Sequence, residues 1–296
     1  MPADGIDFPG YSPKPQVERL AIREVDAASG CWRDVDAAAD GRPARSLTLV
    51  TFNTWFQGPE HALRYQGLLE VLEAADADII MLQEVTVRLL DALMSAAWVR
   101  ERYCIAHAPI RADAIPSHGL ALLARPRPLG ATLHPLPTHM GRKLLVADFL
   151  LDGKRFAVAT AHLESMKSNA DVRGAQLAAI FGILEEADPA VLCGDFNFCS
   201  SWRAENDRID ARYLDVWPRL SGEPGFTQDT ARNRMLAIAK AETKQVRIDR
   251  ILLRSHGAER WAPAAVALLG TQPVRPENPK VFPSDHFGVA ATIVSR

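Results

Sequence analysis

Little in this chain is arranged to hold zinc, to cross-link or to enter a membrane. Only four of its 296 residues are cysteine, Cys31, Cys104, Cys193 and Cys199, and no two form a C-x-x-C pair. That scatter argues against zinc ribbons and disulfide frameworks and makes a reducing, cytoplasmic setting the simpler expectation. No stretch approaches the roughly 18 consecutive apolar residues of a membrane span, so no membrane is expected among its partners. The start, M-P-A-D-G-I-D-F-P-G-Y, is acidic and lacks the apolar centre of a secretory signal. Charge is almost balanced, with a formal net of −2. Any polyanion must therefore be met by a local patch and not by a global field. No internal repeat or low-complexity tract is visible. What is present, 48% hydrophobic and 24% charged residues, suits a soluble protein with a sizeable core, in one large domain or two average ones.

The stretch that organises the rest is Ala190–Asn197, A-V-L-C-G-D-F-N. Its apolar run predicts a buried strand. Gly194 is expected to let the backbone turn sharply, and Asp195 and Asn197 then share a face, because alternate residues of an extended chain do. A carboxylate that activates water beside an amide that binds a phosphate oxygen is one reading. A strand followed by a turn held by Asp and Asn is the other.

In chain order, residues 1–45 read as an N-terminal arm, with Met1–Pro15 loose, a β-hairpin between Val17 and Val35, and a linker over Ala37–Arg45. Ser46–Asn53 alternates as a strand, and Leu63, Leu68, Leu69 and Leu72 place a helix between His61 and Ala75. A strand ending at Gln83 and Glu84 and a helix over Thr86–Trp98 follow. This order predicts an α/β layered domain over 46–296. Gly119–Ala124, Ala131–Leu136, Leu144–Leu151 and Phe156–Leu163 read as a meander, Ser168–Glu186 as a helix and Asp207–Tyr213 as a short one. Asp229–Lys244 reads as a long polar loop, and Gln245–Leu253, Ala264–Leu269 and the C-terminal G-V-A-A-T-I-V as strands.

Polar residues stand where these apolar strands end: Asn53, Glu84, His162, Asp195, Asn197, Asp249, Asp285 and His286. Each alone has a structural explanation, such as a strand terminator, a core histidine or an Asp249 paired with a neighbouring arginine. Together they are costly, because clustered carboxylates need a cation. Oxygen-rich ligands point to Mg²⁺ or Mn²⁺.

The ordered set T-F-N, L-Q-E-V, A-H-L-E-S, G-D-F-N, R-I-D-R-I and S-D-H resembles the endonuclease/exonuclease/phosphatase superfamily over about Ser46 to Arg296. Within it, H-L-E-S, D-V-W, G-F-T-Q-D-T, R-I-D-R-I-L-L-R and F-P-S-D-H-F-G are most similar to the 5′-tyrosyl-DNA phosphodiesterases. The resemblance implies a four-layer sandwich of two packed mixed β-sheets flanked by helices. It implies that Glu84, with Asn53 and Asp285 nearby, holds the metal, and that Asp195 orients or deprotonates water. Asn197 would hold the phosphate, Asp249 would orient His286, His286 would stabilise phosphoryl charge, and His162 and Ser165 would line the phosphate site. The chain departs from the pattern at Trp55, where a carboxylate would stand, at Gln228 in place of an aromatic residue, and at Cys199 in place of a basic one.

The implied function is a Mg²⁺-dependent phosphodiesterase acting at DNA 5′ ends, with no obligate protein partner evident. Six basic residues, Arg232, Arg234, Lys240, Lys244, Arg247 and Arg250, against Glu242 and Asp249, offer contacts to a phosphate backbone. The competing functions are a hydrolase of a smaller phosphate ester, such as a nucleotide or inositol phosphate, and an inactive binding module.

Overall fold

Two strand–helix–strand units set the architecture. In the first, Ser46–Asn53 leads through the helix His61–Ala75 to Ile79–Thr86, and the strands lie parallel with Asn53 opposite Gln83. In the second, Lys154–His162 leads through Ala170–Ile183 to Ala190–Asp195, again parallel, with His162 opposite Asp195. Parallel neighbours require a long crossover, which each helix supplies. Both units thus end their strands side by side on polar residues. The computed structural model describes residues 16–35, 45–113, 117–240, 242–256 and 261–296. The loose arm expected at 1–15 and all but the last residue of the linker expected at 37–45 lie outside the described residues.

The second unit sits in a seven-stranded sheet, ordered Glu18–Leu20, Gly130–Pro135, Lys143–Leu151, Lys154–His162, Ala190–Asp195, Asp249–Arg254 and Leu214–Asp215. The first unit sits in an eight-stranded sheet, ordered Trp261–Leu269, Gly288–Ser295, Ser46–Asn53, Ile79–Thr86, His118–Ala124, Cys104–His107, Ile22–Val25 and Trp32–Val35. The sheets pack face to face through Leu49, Met81, Leu145, Phe149, Val191 and Ile251. Leu68, Leu72, Leu89 and Trp98 seal helices onto the outer face of the eight-stranded sheet, and Leu177, Ile180 and Phe181 do so on the other. The result is the expected four-layer sandwich. Each fully buried Leu or Ile contributes about 1.5–3 kcal/mol, so packing outweighs helix propensity in holding these layers.

Several elements differ from the sequence reading for identifiable reasons. The stretch from Val17 to Val35 divides between the sheets. Glu18–Leu20 pairs with Gly130–Pro135, while Ile22–Val25 and Trp32–Val35 form a hairpin on the edge of the other sheet. Leu20 and Ile22 both enter the core between the sheets, which holds the chain at the crossing. The helix expected over Thr86–Trp98 is two, Val87–Ser95 and Ala97–Arg102, separated by an extended Ala96. The short helix expected over Asp207–Tyr213 does not form; a single turn, Arg203–Asn206, precedes that stretch, and 207–213 run through turns. The polar loop at 229–244 carries a helix, Arg234–Ala239, capped by the Asn233 side chain and flanked by a ribbon of Gln228–Asp229 with Gln245–Val246. Met235, packed in a cluster with Phe282 and Phe287, anchors it.

Candidate active site

Gly194 does its work inside the strand and not at a turn. Its φ is +133°, and a Cβ there would lie 1.9 Å from the Ala161 carbonyl oxygen. Only glycine lets the strands approach this closely, and that approach sets Asp195 beside His162. In the same sheet Asp195 is in register with Asp249 of the antiparallel neighbour. Four residues around the cleft other than glycine, Trp55, Glu84, Met166 and Asn197, have φ between 54° and 70°. Strained backbone of this kind clusters at functional sites.

Asn53 bridges the two sheets. Its amide nitrogen donates to Asp195 Oδ2 at 2.9 Å and to Glu84 Oε1 at 3.2 Å, while its Oδ1 accepts from the Trp55 backbone N–H. Glu84 also accepts from the Phe56 N–H at 2.9 Å. Beneath them Gln83 donates to Thr51 in its own sheet and to Thr160 in the other, each within 3.0 Å. Burial, and secondarily Asp285, raises the Glu84 pKa above the usual carboxylate value. Burial and the Asp249 charge raise Asp195, although it accepts from Asn53 and from the Asn197 backbone N–H. Asn197 donates its side-chain amide to the Leu163 carbonyl at 3.0 Å, leaving a second N–H on that nitrogen.

On the opposite side, His286 Nδ1 lies 2.8 Å from Asp249 Oδ2. His286 Nε2 lies 3.9 Å from both Asp195 Oδ2 and Asp285 Oδ1. Burial pulls His286 down, but Asp249, Asp285 and Asp195 outweigh it and raise it to about 10. Gln228, which stands in place of an aromatic residue of the resembled family, is 4% exposed and sets its amide nitrogen 2.8 Å from His286 Nε2. Its Oε1 has no partner. Turning the amide over sets that oxygen against a protonated Nε2, the form the raised His286 favours.

His162 Nε2 lies 3.4 Å from Asp195 Oδ2, and its Nδ1 lies 3.7 Å from Glu84 Oε1. Burial, Arg142 and His118 hold it far below its ordinary pKa, so it is neutral. Beside it opens a cavity of about 580 Å³ whose lining includes Phe56, His118, Met140, Arg142 and Ser165. The Phe56 and His118 rings are 4.2 Å apart, and burial pushes His118 down to about 4. Arg142 donates to Ser165 Oγ at 2.7 Å. Nothing in the sequence marks either Arg142 or Gln228 for a contact at the reacting centre. Arg142 sits in a turn, T-H-M-G-R-K, with no local pattern to mark it.

A model described as the Endonuclease/Exonuclease/phosphatase family matches residues 50–286. The chain belongs to this family. It is 26% identical over 272 residues to tyrosyl-DNA phosphodiesterase 2 of Mus musculus, covering 88% of this chain and 70% of that protein. It is 34% identical over 163 residues to the Xenopus laevis protein of the same name, covering 52% of this chain and 42% of that one. Among solved structures, Danio rerio TDP2 complexed with a single-strand DNA product superposes with a TM-score of 0.72 at 25% identity, over 84% of this chain and 99% of that one.

As an endonuclease/exonuclease/phosphatase family member the chain is an enzyme of phosphoester hydrolysis. The family's divalent-metal dependence fits the donor set. Asp195, Asp249 and Asp285 are nearly out of water and Glu84 is largely buried; the His286 imidazolium lies against the three aspartates, while His162, 3.7 Å from Glu84, is neutral. Asp249 Oδ1 is buried without a partner. Asp195, Asp249 and His286 bring ligand atoms within 4.8 Å of one another. Asp249 and His286 are bonded to each other, however, so the oxygen donors at Glu84 and Asp285 suit a hard cation better.

The basic residues divide. Arg247 and Arg250 are buried on Asp215, at 2.8 and 2.7 Å, and are spent on structure. Arg232, over the Phe287 ring, and Arg234 and Lys240 are exposed. Lys244 is half-buried; burial and Lys240 lower its pKa, while its ammonium feels Asp285 and Asp195.

Proposed function

We propose that this enzyme is a Mg²⁺- or Mn²⁺-dependent phosphodiesterase that releases tyrosine from DNA 5′ ends; the relatives it matches are named tyrosyl-DNA phosphodiesterase 2. One observation carries the reading: Asp195, the Asp249–His286 pair and Arg142 converge on one cleft whose side cavity has aromatic and thioether walls. A phosphoryl group bearing an aryl ester suits that combination of charge and apolar surface.

Asp195, with its raised pKa, takes a proton from the attacking water near neutral pH. Asn53 and the Asn197 backbone hold that carboxylate in one orientation. The free N–H of Asn197 donates to the phosphoryl oxygens, and the His286 imidazolium stabilises the negative charge that builds there, its Nε2–H passing from Gln228 to a phosphoryl oxygen when substrate enters. Asp249 keeps His286 charged and aimed. Neutral His162 and Ser165 line the same pocket, and Arg142 faces the ester group beside Phe56 and His118. When bound, a divalent cation at Glu84 and Asp285, with Asn53 beside it, supplies Lewis-acid stabilisation of phosphoryl charge. Arg232, Arg234, Lys240 and Lys244 contact the DNA backbone.

In this reading residues 46–296 carry the catalytic residues, and the strands between Glu18 and Val35, which the sequence places in a separate arm, complete the two sheets of the same domain. A reducing, cytoplasmic setting is supported by Cys104 and Cys193, buried as free thiols and each pushed up to about 12. No helix among the described residues is long and apolar enough to cross a membrane.

The test is a substrate panel with Mg²⁺: a 5′-tyrosyl oligonucleotide, a 5′-phosphorylated one, an abasic duplex and inositol phosphates. The tyrosyl oligonucleotide should be cleaved best, and Asp195→Asn should lose about a thousandfold or more in kcat while folding normally. Preference for an inositol phosphate, or near-normal turnover by Asp195→Asn, would refute the assignment.

A further inference from the structure

The A-H-L-E-S motif contains one charged residue, Glu164, that the mechanism leaves unused. His162 and Ser165 line the cleft, whereas Glu164 is fully buried. Its carboxylate accepts from Thr138 Oγ1 at 2.6 Å, from the His139 backbone N–H at 3.0 Å and from Gln176 Nε2 at 3.4 Å. Gln176, on the helix Ala170–Ile183, returns the contact by accepting the Glu164 backbone N–H at 2.8 Å. Arg173, on the same helix, donates to the Glu164 and Met166 carbonyls. Glu164 is therefore fixed from the scaffold side.

The consequence lies in what Thr138 can do. A hydroxyl has one proton to donate and two lone pairs. Thr138 gives its proton to Glu164 and accepts from the backbone N–H groups of Met140 at 2.9 Å and Arg142 at 3.1 Å. The Arg142 side chain then reaches Ser165, the residue after Glu164. Glu164, Thr138, Arg142 and Ser165 thus form a closed circuit of hydrogen bonds and chain.

We propose that Glu164 is a positioning residue: it holds the turn at 136–142 so that Arg142 meets the ester group of the substrate, and it acts on substrate binding only through Arg142. This rests on Arg142 being the substrate cation of the function proposed above. Glutamine is the informative replacement. It keeps the shape, but its NH₂ group must face Thr138, His139 or Gln176, all of which are donors. Facing Thr138 the NH₂ group removes the acceptor of its proton, and facing His139 it breaks the backbone contact that holds the same turn; either way a bond that orders Arg142 is lost.

The experiment is steady-state kinetics of the full chain with Mg²⁺ on thymidine 5′-(p-nitrophenyl phosphate), a small aryl phosphodiester. Glu164→Gln is expected to raise KM about tenfold, the loss of one hydrogen bond to a charged group. In an Arg142→Ala background the same change should add less than about twofold, because the two act as one unit. Thr138→Val should reproduce Glu164→Gln, and Thr138→Ser should restore wild-type kinetics. An undiminished effect of Glu164→Gln on top of Arg142→Ala overturns the proposal, as does an Arg142→Ala enzyme with unchanged KM. If Glu164→Gln fails to fold by circular dichroism, the Thr138→Val and Thr138→Ser pair, measured with and without Arg142→Ala, decides the question in the same way. A wild-type enzyme that cleaves this ester but not a 5′-tyrosyl oligonucleotide refutes the proposed substrate and leaves the coupling measurement intact.

Discussion

Replacing Asp249 by Asn keeps the side chain's size and removes one charge from beside His286. Asp249 Oδ2 lies 2.8 Å from His286 Nδ1, and both residues are buried. A hydrogen bond to a charged group is worth about 1.5–3 kcal/mol, and about 1.4 kcal/mol is a factor of ten in rate. If that energy supports the imidazolium in the transition state, kcat falls roughly 10- to 150-fold with little change in KM. The pH dependence has a definite sign. Burial lowers His286, and Asp249 is the largest of the charges that raise it to about 10. Without that charge the imidazolium is lost at lower pH. The deficit of Asp249→Asn should therefore widen between about pH 6 and about pH 9. The assay is kcat on bis-(p-nitrophenyl) phosphate at saturating Mg²⁺. A deficit below about threefold, or one that stays constant across the range, would refute a charged, Asp249-held His286.

Glu84→Gln should weaken Mg²⁺ binding at least about tenfold by titration calorimetry while leaving the melting temperature nearly unchanged; unchanged affinity would remove Glu84 from the metal ligands. Glu84 and Asp195 both have raised pKa values, so their contributions to metal-free stability fall as pH rises from the unfolded carboxylate value towards the raised one. Mg²⁺ should accordingly raise the melting temperature more near pH 8 than near pH 5.5 in a thermal-denaturation series, and an increment that does not grow with pH would contradict the carboxylate cluster as the cation site. Neutralising Arg232, Arg234, Lys240 and Lys244 together should flatten the log–log salt dependence of single-stranded DNA binding by about three units, at roughly 0.7 per contact; an unaltered slope would mean that these residues do not meet phosphate.

The sequence by itself determined the elements whose stabilising pattern is local. Ser46–Asn53 and His61–Ala75 are legible at their observed bounds, because alternation and helical spacing of apolar residues act within a few positions. The polar strand ends are legible for the same reason: Asn53, Glu84, Asp195 and Asp249 each interrupt an apolar run. The fate of the other charges was not legible, because it depends on distant partners. Arg247 and Arg250 look like Arg232 and Arg234 in sequence, yet Asp215, 32 and 35 residues away, removes them from the surface. Gln228 reads only as the replacement of an aromatic residue until His286, 58 residues on, is found against it. Arg142 acquires its place through Thr138 and Glu164, neither of which any periodicity connects to it. Burial and long-range hydrogen bonding choose which polar groups face the cleft and which are consumed by the scaffold, and those choices exist only once the two sheets have packed.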